Sequence, residues 1–182
     1  MVMTGATVEI PLLARNGSIR GYALIDAEDF PIVGLLRWYM NKSSISHTPY
    51  AARAIKIDDG TTRIVFMHRQ ILALPRARTP EVDHLDRNGL NNRRGNLRVV
   101  THAQNLQNRR AQSGTSRFRN VTWNKNHQRW HVALRLDGRN RHIGFFSDEE
   151  EANQAAIEAR RQLFPFSTDA LTATNYALGG TK

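Results

Sequence analysis

The hydrophobic pattern of residues 1–66 is that of short strands joined by tight turns. "ARNGSIR" sets Asn16-Gly17 between the run ending at Leu13 and "YALID", and "AARAIKIDDGTTRIVF" sets Asp59-Gly60 between two β-prone runs. Both dipeptides suit hairpin turns, because they tolerate the positive φ that such turns require. Between them, "DAEDFPIVGLLRWYM" combines a cap-like Asp29, Pro31 near a helix start and an apolar run through Leu35, Leu36 and Trp38, which predicts a short helix. "MHRQILAL" reads as a short amphipathic helix closed by Pro75. Residues 82–110 follow as strand, long polar loop, strand "LRVV" and a helix opened by Thr101 and Gln104, three apart as a capping box requires.

Beyond the small, polar stretch 111–116, read as a linker, the pattern changes again. Residues 117–146 hold three β-prone runs, with an Asp137-Gly138 turn between the second and third. "RWHVALRL" alternates strictly, so Trp130, Val132, Leu134 and Leu136 face one way and His131, Ala133 and Arg135 the other. In the first run Val121 and Trp123 point inward and Thr122 and Asn124 outward. In the third, Ile143 and Phe145 point inward and Asn140 and His142 outward. "SDEEEANQAAIEARRQLF" is a helix with a Ser147–Glu150 capping box, acids at its positive end and a small face of Ala152, Ala155, Ala156, Ala159 and Leu163. The small face would let the sheet approach closely. The fold class expected is α+β: a β-rich N-terminal region, an α/β core over 67–110, then a three-stranded antiparallel sheet packed on one helix over 117–166. Residues 167–182 form a tail.

Composition narrows the function. The 182 residues carry a net charge of +10 and no cysteine. Disulfides and thiolate zinc sites are thereby excluded, and the expected setting is a reducing cytoplasm. No apolar run approaches a membrane span, and the N-terminus lacks a signal-peptide layout. The positive charge points to a polyanionic partner.

The chemistry gathers in "VDHLDRNGLNNRRGNLRVVT", residues 82–101, which holds one His, two Asp and four Asn. If Val82–His84 and Leu97–Val100 pair, Asp83 and His84 point to opposite faces of their strand. Asn105, in the first turn of the next helix, could then approach Asp83. Carboxylate and amide oxygens suit Mg²⁺ or Mn²⁺, and two protein ligands with phosphate and water is a usual magnesium arrangement. His84 could take a proton from water, and the loop asparagines would hold the loop through bonds to its backbone. The arginines around it, Arg87, Arg93, Arg94 and Arg98, suit a phosphate-bearing substrate. Arg98 is either a phosphate contact or a solvated strand charge. His68 is either a packing residue or a phosphate contact, and His102 a spare ligand, a phosphate contact or an exposed helix-start residue.

"MHRQILAL" followed by "VDHLDRNGLNNRRGNLRVVTHAQN" closely resembles the HNH endonucleases of bacteriophages and mobile elements, including free-standing homing endonucleases. The resemblance covers residues 64–110 and implies a ββα-metal fold with one divalent cation per active site. It implies His84 as general base, Asp83 and Asn105 as metal ligands, and Asn96 as the asparagine that fixes the loop and orients the histidine. Some members place histidine where this chain has Asn105.

Residues 117–146 carry seven Lys/Arg against one acid, Asp137, so the polar side of the sheet is basic. Such a sheet suits a B-form major groove, where arginine can pair with guanine edges. The stretch 116–164 also resembles the APETALA/ethylene-response-factor DNA-binding domain, on "V" before the first-strand aromatic, Trp130, "IGFF" and the acid-started helix. That resemblance implies duplex contacts at Arg119, Thr122, Asn124, Arg135, Asn140 and His142; the basic face adds Arg117, Arg129 and His131. Thr122 and Asn124 stand where plant members carry arginine, and His142 where they carry tryptophan.

The function expected is a metal-dependent, site-directed endonuclease of duplex DNA, a homing-type nicking enzyme of a phage or mobile element. With no long apolar heptad, a monomer is expected, with a dimer as the alternative. The competing classes are a non-catalytic DNA-binding regulator retaining the fold, and an RNA-processing or packaging-linked nuclease.

Overall fold

The computed structural model describes residues 5–42, 48–75, 77, 79–109 and 114–168. The chain divides into two units, Met1–Thr101 and His102–Lys182. It is a mixed α/β structure with four small antiparallel sheets and few helices.

In the first unit, β1 (Thr7–Leu13) and β2 (Ile19–Asp26) form the hairpin expected at Asn16-Gly17, with Gly17 at φ +85°. A 3-10 turn over Ala27–Asp29 leads into α1 (Phe30–Val33). The expected helix is thus one turn long. The rest of its apolar run leaves the helix: Leu35 is exposed, Trp38 is buried with its indole N–H donating to the Val33 carbonyl, and Tyr39 opens a strand. Trp38 decides this, since its ring fills the core only if the chain turns back after Val33.

Strands β3 (Tyr39–Lys42), β4 (Pro49–Lys56) and β5 (Thr62–Phe66) form a second sheet in the order β3-β4-β5, with the expected Asp59-Gly60 turn between the last two. The short helix α2 (Met67–Ile71) follows directly. Then β6 (Glu81–His84) and β7 (Leu97–Val100) pair antiparallel, as the pattern predicts, with Asp83 opposite Arg98 and His84 opposite Leu97. One core joins these elements: Ile10, Leu12, Ile25, Val33, Trp38, Met67 and Ile71 are buried together.

The second unit opens with α3 (His102–Leu106). Strands β8 (Val121–Asn124), β9 (Arg129–Leu136) and β10 (Arg139–Phe146) follow in the order β10-β9-β8, packed on α4 (Glu149–Leu163). Val121, Val132 and Leu134 meet Ala152, Ala156 and Ala159, as the small helical face predicts. Two details differ. Helix α4 is capped by Asp148 rather than Ser147, with the Asp148 carboxylate accepting from the Glu150 and Glu151 N–H groups at 2.9 Å. In β10 a bulge between His142 and Gly144 shifts the register, so Phe146 rather than Phe145 packs toward the helix and Phe145 joins the outer face.

Of the expected linker, 111–113 lie outside the described residues, as do 169–182 of the expected tail. Thr115 and Ser116 are tied into the second unit. The Trp123 N–H donates to Thr115 Oγ1, and Ser116 Oγ donates to Glu149 at 2.7 Å.

Candidate active site

The polar loop between β6 and β7 is held by its own asparagines. Asn96 Nδ2 donates to Asp86 Oδ1 at 2.9 Å and to the Asn91 carbonyl at 2.8 Å, while Asn96 Oδ1 accepts from the Asp86 N–H. Asp86 also accepts from the Asn88 N–H and from Asn91 Nδ2. Burial alone would raise the Asp86 carboxyl, but these bonds from Asn88, Asn91 and Asn96 outweigh it and hold the group below its ordinary value. The loop is pinned to β2 at its middle, where Leu24 N–H donates to the Leu90 carbonyl and Asn92 N–H to the Leu24 carbonyl. Gly89 lets the loop lie against Tyr50: a Cβ there would stand 2.5 Å from the Pro49 carbonyl oxygen and 2.6 Å from the Tyr50 ring.

Two acids, Asp26 at the end of β2 and Asp29 just beyond it, complete the anchorage. Asp26 accepts from Arg93 Nε at 2.9 Å and from the Arg94 N–H at 2.8 Å. Asp29, with no exposed surface, accepts from Arg94 Nη2 at 2.7 Å and Nε at 3.0 Å. Asp29 therefore clasps the loop instead of capping α1 with its side chain, which makes no cap bond. The Asp26 carboxyl lies below its ordinary value because the bonds from Arg93 and Arg94 outweigh the opposing effect of burial. Asp26, Glu28 and Asp29 are close enough together to suggest a cation site. Arg93 and Arg94 already supply its counter-charge, so the cluster reads as a structural clasp. Arg93 and Arg94, two of the arginines that surround the motif, thus hold the loop in place.

Asp83 and His84 are both buried, at 7% and 4% exposure. Arg98, directly opposite on β7, places Nε at 2.9 Å and Nη2 at 2.6 Å from Asp83 Oδ2. Both guanidinium contacts fall on one carboxylate oxygen. The His84 ring is backed by aromatic neighbours: His68 edge-on at 5.1 Å between centroids and Tyr50 at 5.7 Å. His68 in turn stacks on Phe66, is 7% exposed, and its Nδ1 has no hydrogen-bond partner among the described residues. Burial first, then the neighbouring His84 and Arg69 charges, push the His68 imidazole down to about 3. Burial also lowers His84, against the opposing pull of Asn92, Asp86 and Asp83, so the neutral ring is favoured. Asn92 Oδ1 lies 3.5 Å from His84 Nε2.

Tyr50, Phe66 and Asn92 escape a reading of the motif alone. Asn92 stands in the quoted stretch but looks like one more loop asparagine, and its total burial is the distinguishing property. Tyr50 carries no local signal, because its strand reaches the histidine only through the tertiary fold.

Asn105 and His102 stand on α3, in the second unit. Within that unit Arg119 donates to the carbonyls of Gln107 at 2.8 Å and Leu106 at 3.1 Å, so its guanidinium engages the end of α3 instead of the outer sheet face. Asn124 Oδ1 accepts from the Asn126 and His127 N–H groups and holds the β8–β9 turn. Thr122, Arg129, Arg135, Asn140 and His142 are exposed, with Asn140 directly opposite Arg135. Arg117 is exposed, with Nη2 3.8 Å from Glu150. His131 Nε2 lies 2.9 Å from His142 Nδ1, and both rings pack on Phe145, which the β10 bulge has turned outward.

Comparison with known proteins accords with this geometry. Residues 67–107 match the HNH endonuclease family. An uncharacterized HNH endonuclease of Acanthamoeba polyphaga mimivirus is 28% identical over 163 residues, which cover 87% of this chain and 78% of the viral protein. No solved structure gives a significant match. No helix among the described residues is long and apolar enough to cross a membrane. Asp83, His84, Asn96 and Asn105 all lie within the stretch that matches the HNH endonuclease family.

Proposed function

We propose that the protein is a divalent-metal-dependent endonuclease that hydrolyses phosphodiester bonds in duplex DNA, nicking one strand per active site, in the manner of a homing enzyme of a phage or mobile element. The observation that carries this reading is the neutral, aromatic-backed His84 beside the buried Asp83 on one short strand.

The donor chemistry fits a hard cation such as Mg²⁺ or Mn²⁺. Asp83 is a buried carboxylate on the strand that also carries His84. It is assigned as the carboxylate ligand, and Asn105 as the amide ligand on the strength of the sequence motif. When bound, the ion supplies positive charge to the phosphate oxygens and the leaving oxygen. His84 takes a proton from the attacking water. His68 and Tyr50 support its ring, and Asn96, through Asp86 and Asn91, keeps the loop from shifting beneath it. Arg98 matches the Asp83 charge, which a buried carboxylate needs. His102 is assigned an auxiliary role at the start of α3. Thr122, Arg129, His131, Arg135, Asn140 and His142 form the DNA-reading face, with Arg117 at its margin, while Arg119 and Asn124 shape that unit from within.

The test is His84→Ala in magnesium. Loss of a general base is expected to lower duplex cleavage by roughly 10²- to 10⁴-fold while leaving DNA binding in place. Unchanged cleavage would remove His84 from the mechanism.

A further inference from the structure

Three exposed arginines of the first unit, whose charges the catalytic reading does not use, gather at one place. Arg15, Arg20 and Arg37 line an open pocket of about 620 Å³ together with Trp38, Tyr39 and Ala54, and its lining contains no acidic residue. Arg93, Arg94 and Arg98 of the same unit all meet carboxylates. Among the described residues, Arg15, Arg20 and Arg37 meet none.

The fold converges these side chains. The β1–β2 register skips Arg20, since Leu12 pairs with Gly21 and Leu13 with Ile19. Arg20 is therefore the extra residue of a bulge, the device by which a strand re-aims one side chain. Gly21 beside it takes φ +153°, a conformation open to glycine. Arg15 sits in the hairpin turn, which Asn16 tightens by accepting from the Ser18 N–H and hydroxyl. Arg37 is steadied across the pocket by donating from Nη2 to the Ala14 carbonyl at 3.2 Å. Three like charges held near one another without a counter-ion are unfavourable in the free protein and favourable once an anion enters.

One strand links the pocket lining to the surroundings of the catalytic histidine. Tyr39 pairs with Ala52, so Tyr39, Ala52 and Ala54 share one face of the β3-β4-β5 sheet with Tyr50, whose ring packs against His84. Ala54 is four residues beyond Tyr50, about 13 Å along the strand. That distance is on the order of four base-pair steps measured along the axis of a DNA duplex.

We infer that Arg15, Arg20 and Arg37 form a phosphate-binding pocket that grips the DNA backbone a few nucleotides from the cut, independently of base sequence. The inference rests on the nuclease reading and adds an anchor in the first unit to the reader in the second.

The experiment compares the full-length chain with an R15Q/R20Q/R37Q variant and an R15K/R20K/R37K variant on fluorescently labelled mixed-sequence duplexes, without divalent metal, across a range of salt. Each arginine that displaces a counter-ion contributes ~0.9 to the slope of log affinity against log salt. The glutamine variant is expected to lose about two to three units of slope, and to weaken at ~0.1 M salt by roughly tenfold or more, equally on unrelated duplexes. The lysine variant should regain most of the slope, because the contact is one of charge. A glutamine variant with the unaltered slope overturns the pocket, as does a lysine variant equally weakened. Cleavage of the same duplexes by the unsubstituted chain in magnesium separates the two readings. If it neither cuts nor binds, both fail; if it cuts while the glutamine variant keeps its slope, only the pocket fails.

Discussion

At the scale of single residues, burial decides more than residue type. Four asparagines stand between Arg87 and Leu97, yet only Asn92 is fully buried, and its side-chain oxygen lies 3.5 Å from His84 Nε2. Histidines divide the same way. His68, stacked on Phe66 with its pKa near 3, stays neutral in the folded protein. Its folded value lies below the unfolded value of 6.5, so the unfolded chain binds more protons between those limits. Stability present above pH ~6.5 is lost as pH falls toward 3, with about 2 kcal/mol gone at pH 5 from this group. Urea unfolding of His68→Phe, which preserves the aromatic stack, should show a smaller drop between pH 7 and pH 5 than the parent. An equal drop would place the titration elsewhere. The two loop glycines make a second contrast. Gly89→Ala must push a methyl into the Pro49 carbonyl and should cost about 1–3 kcal/mol, whereas a Cβ at Gly95 meets nothing within 4 Å. Comparing the two midpoints of unfolding checks the pair.

At the scale of elements, the catalytic loop is a ward of the N-terminal hairpin. Without the Asp26–Arg93 and Asp29–Arg94 contacts, the segment between β6 and β7 would rest on its own asparagines and on backbone bonds to Leu24. Arg94→Met leaves the Asp29 carboxylate buried and unmatched, so a loss of about 3 kcal/mol is expected. The double change D29L/R94M removes the buried charge as well and should recover much of that loss. Denaturant midpoints of the two variants decide the matter; equal midpoints would show that the clasp carries no buried-charge penalty. The β10 bulge acts at the same scale. By inserting one residue it turns Phe145 outward against His131 and His142, building a ring cluster on the face expected to be purely polar.

At the scale of the whole molecule, a net charge of +10 is distributed over both units, and the reading proposed assigns one catalytic histidine to each chain. One site hydrolyses one strand, so supercoiled plasmid should pass first to the nicked circle, with linear product appearing later as a second event. Electrophoresis of a time course in magnesium tests this, and linear product formed without a nicked precursor would require two cooperating chains.

Local patterning determined the hairpin turns at Asn16-Gly17, Asp59-Gly60 and Asp137-Gly138, the β6–β7 pairing and the alanine-faced helix. The β6–β7 pairing rests on two short β-prone runs on either side of the polar loop. The turns and the helix face rest on residues close in sequence, whose backbone preference or side-chain period is set within a few positions. The motif around His84 was legible for the same reason. What the sequence left open required contacts between distant segments: Trp38 turning the chain after Val33, Asp29 leaving its cap position for Arg94, Tyr50 and His68 enclosing His84, and Arg119 engaging α3. Each places a side chain by partners from 5 to 65 residues away, and a charge or ring takes its role from the counter-charge or surface it meets, which only the folded chain supplies.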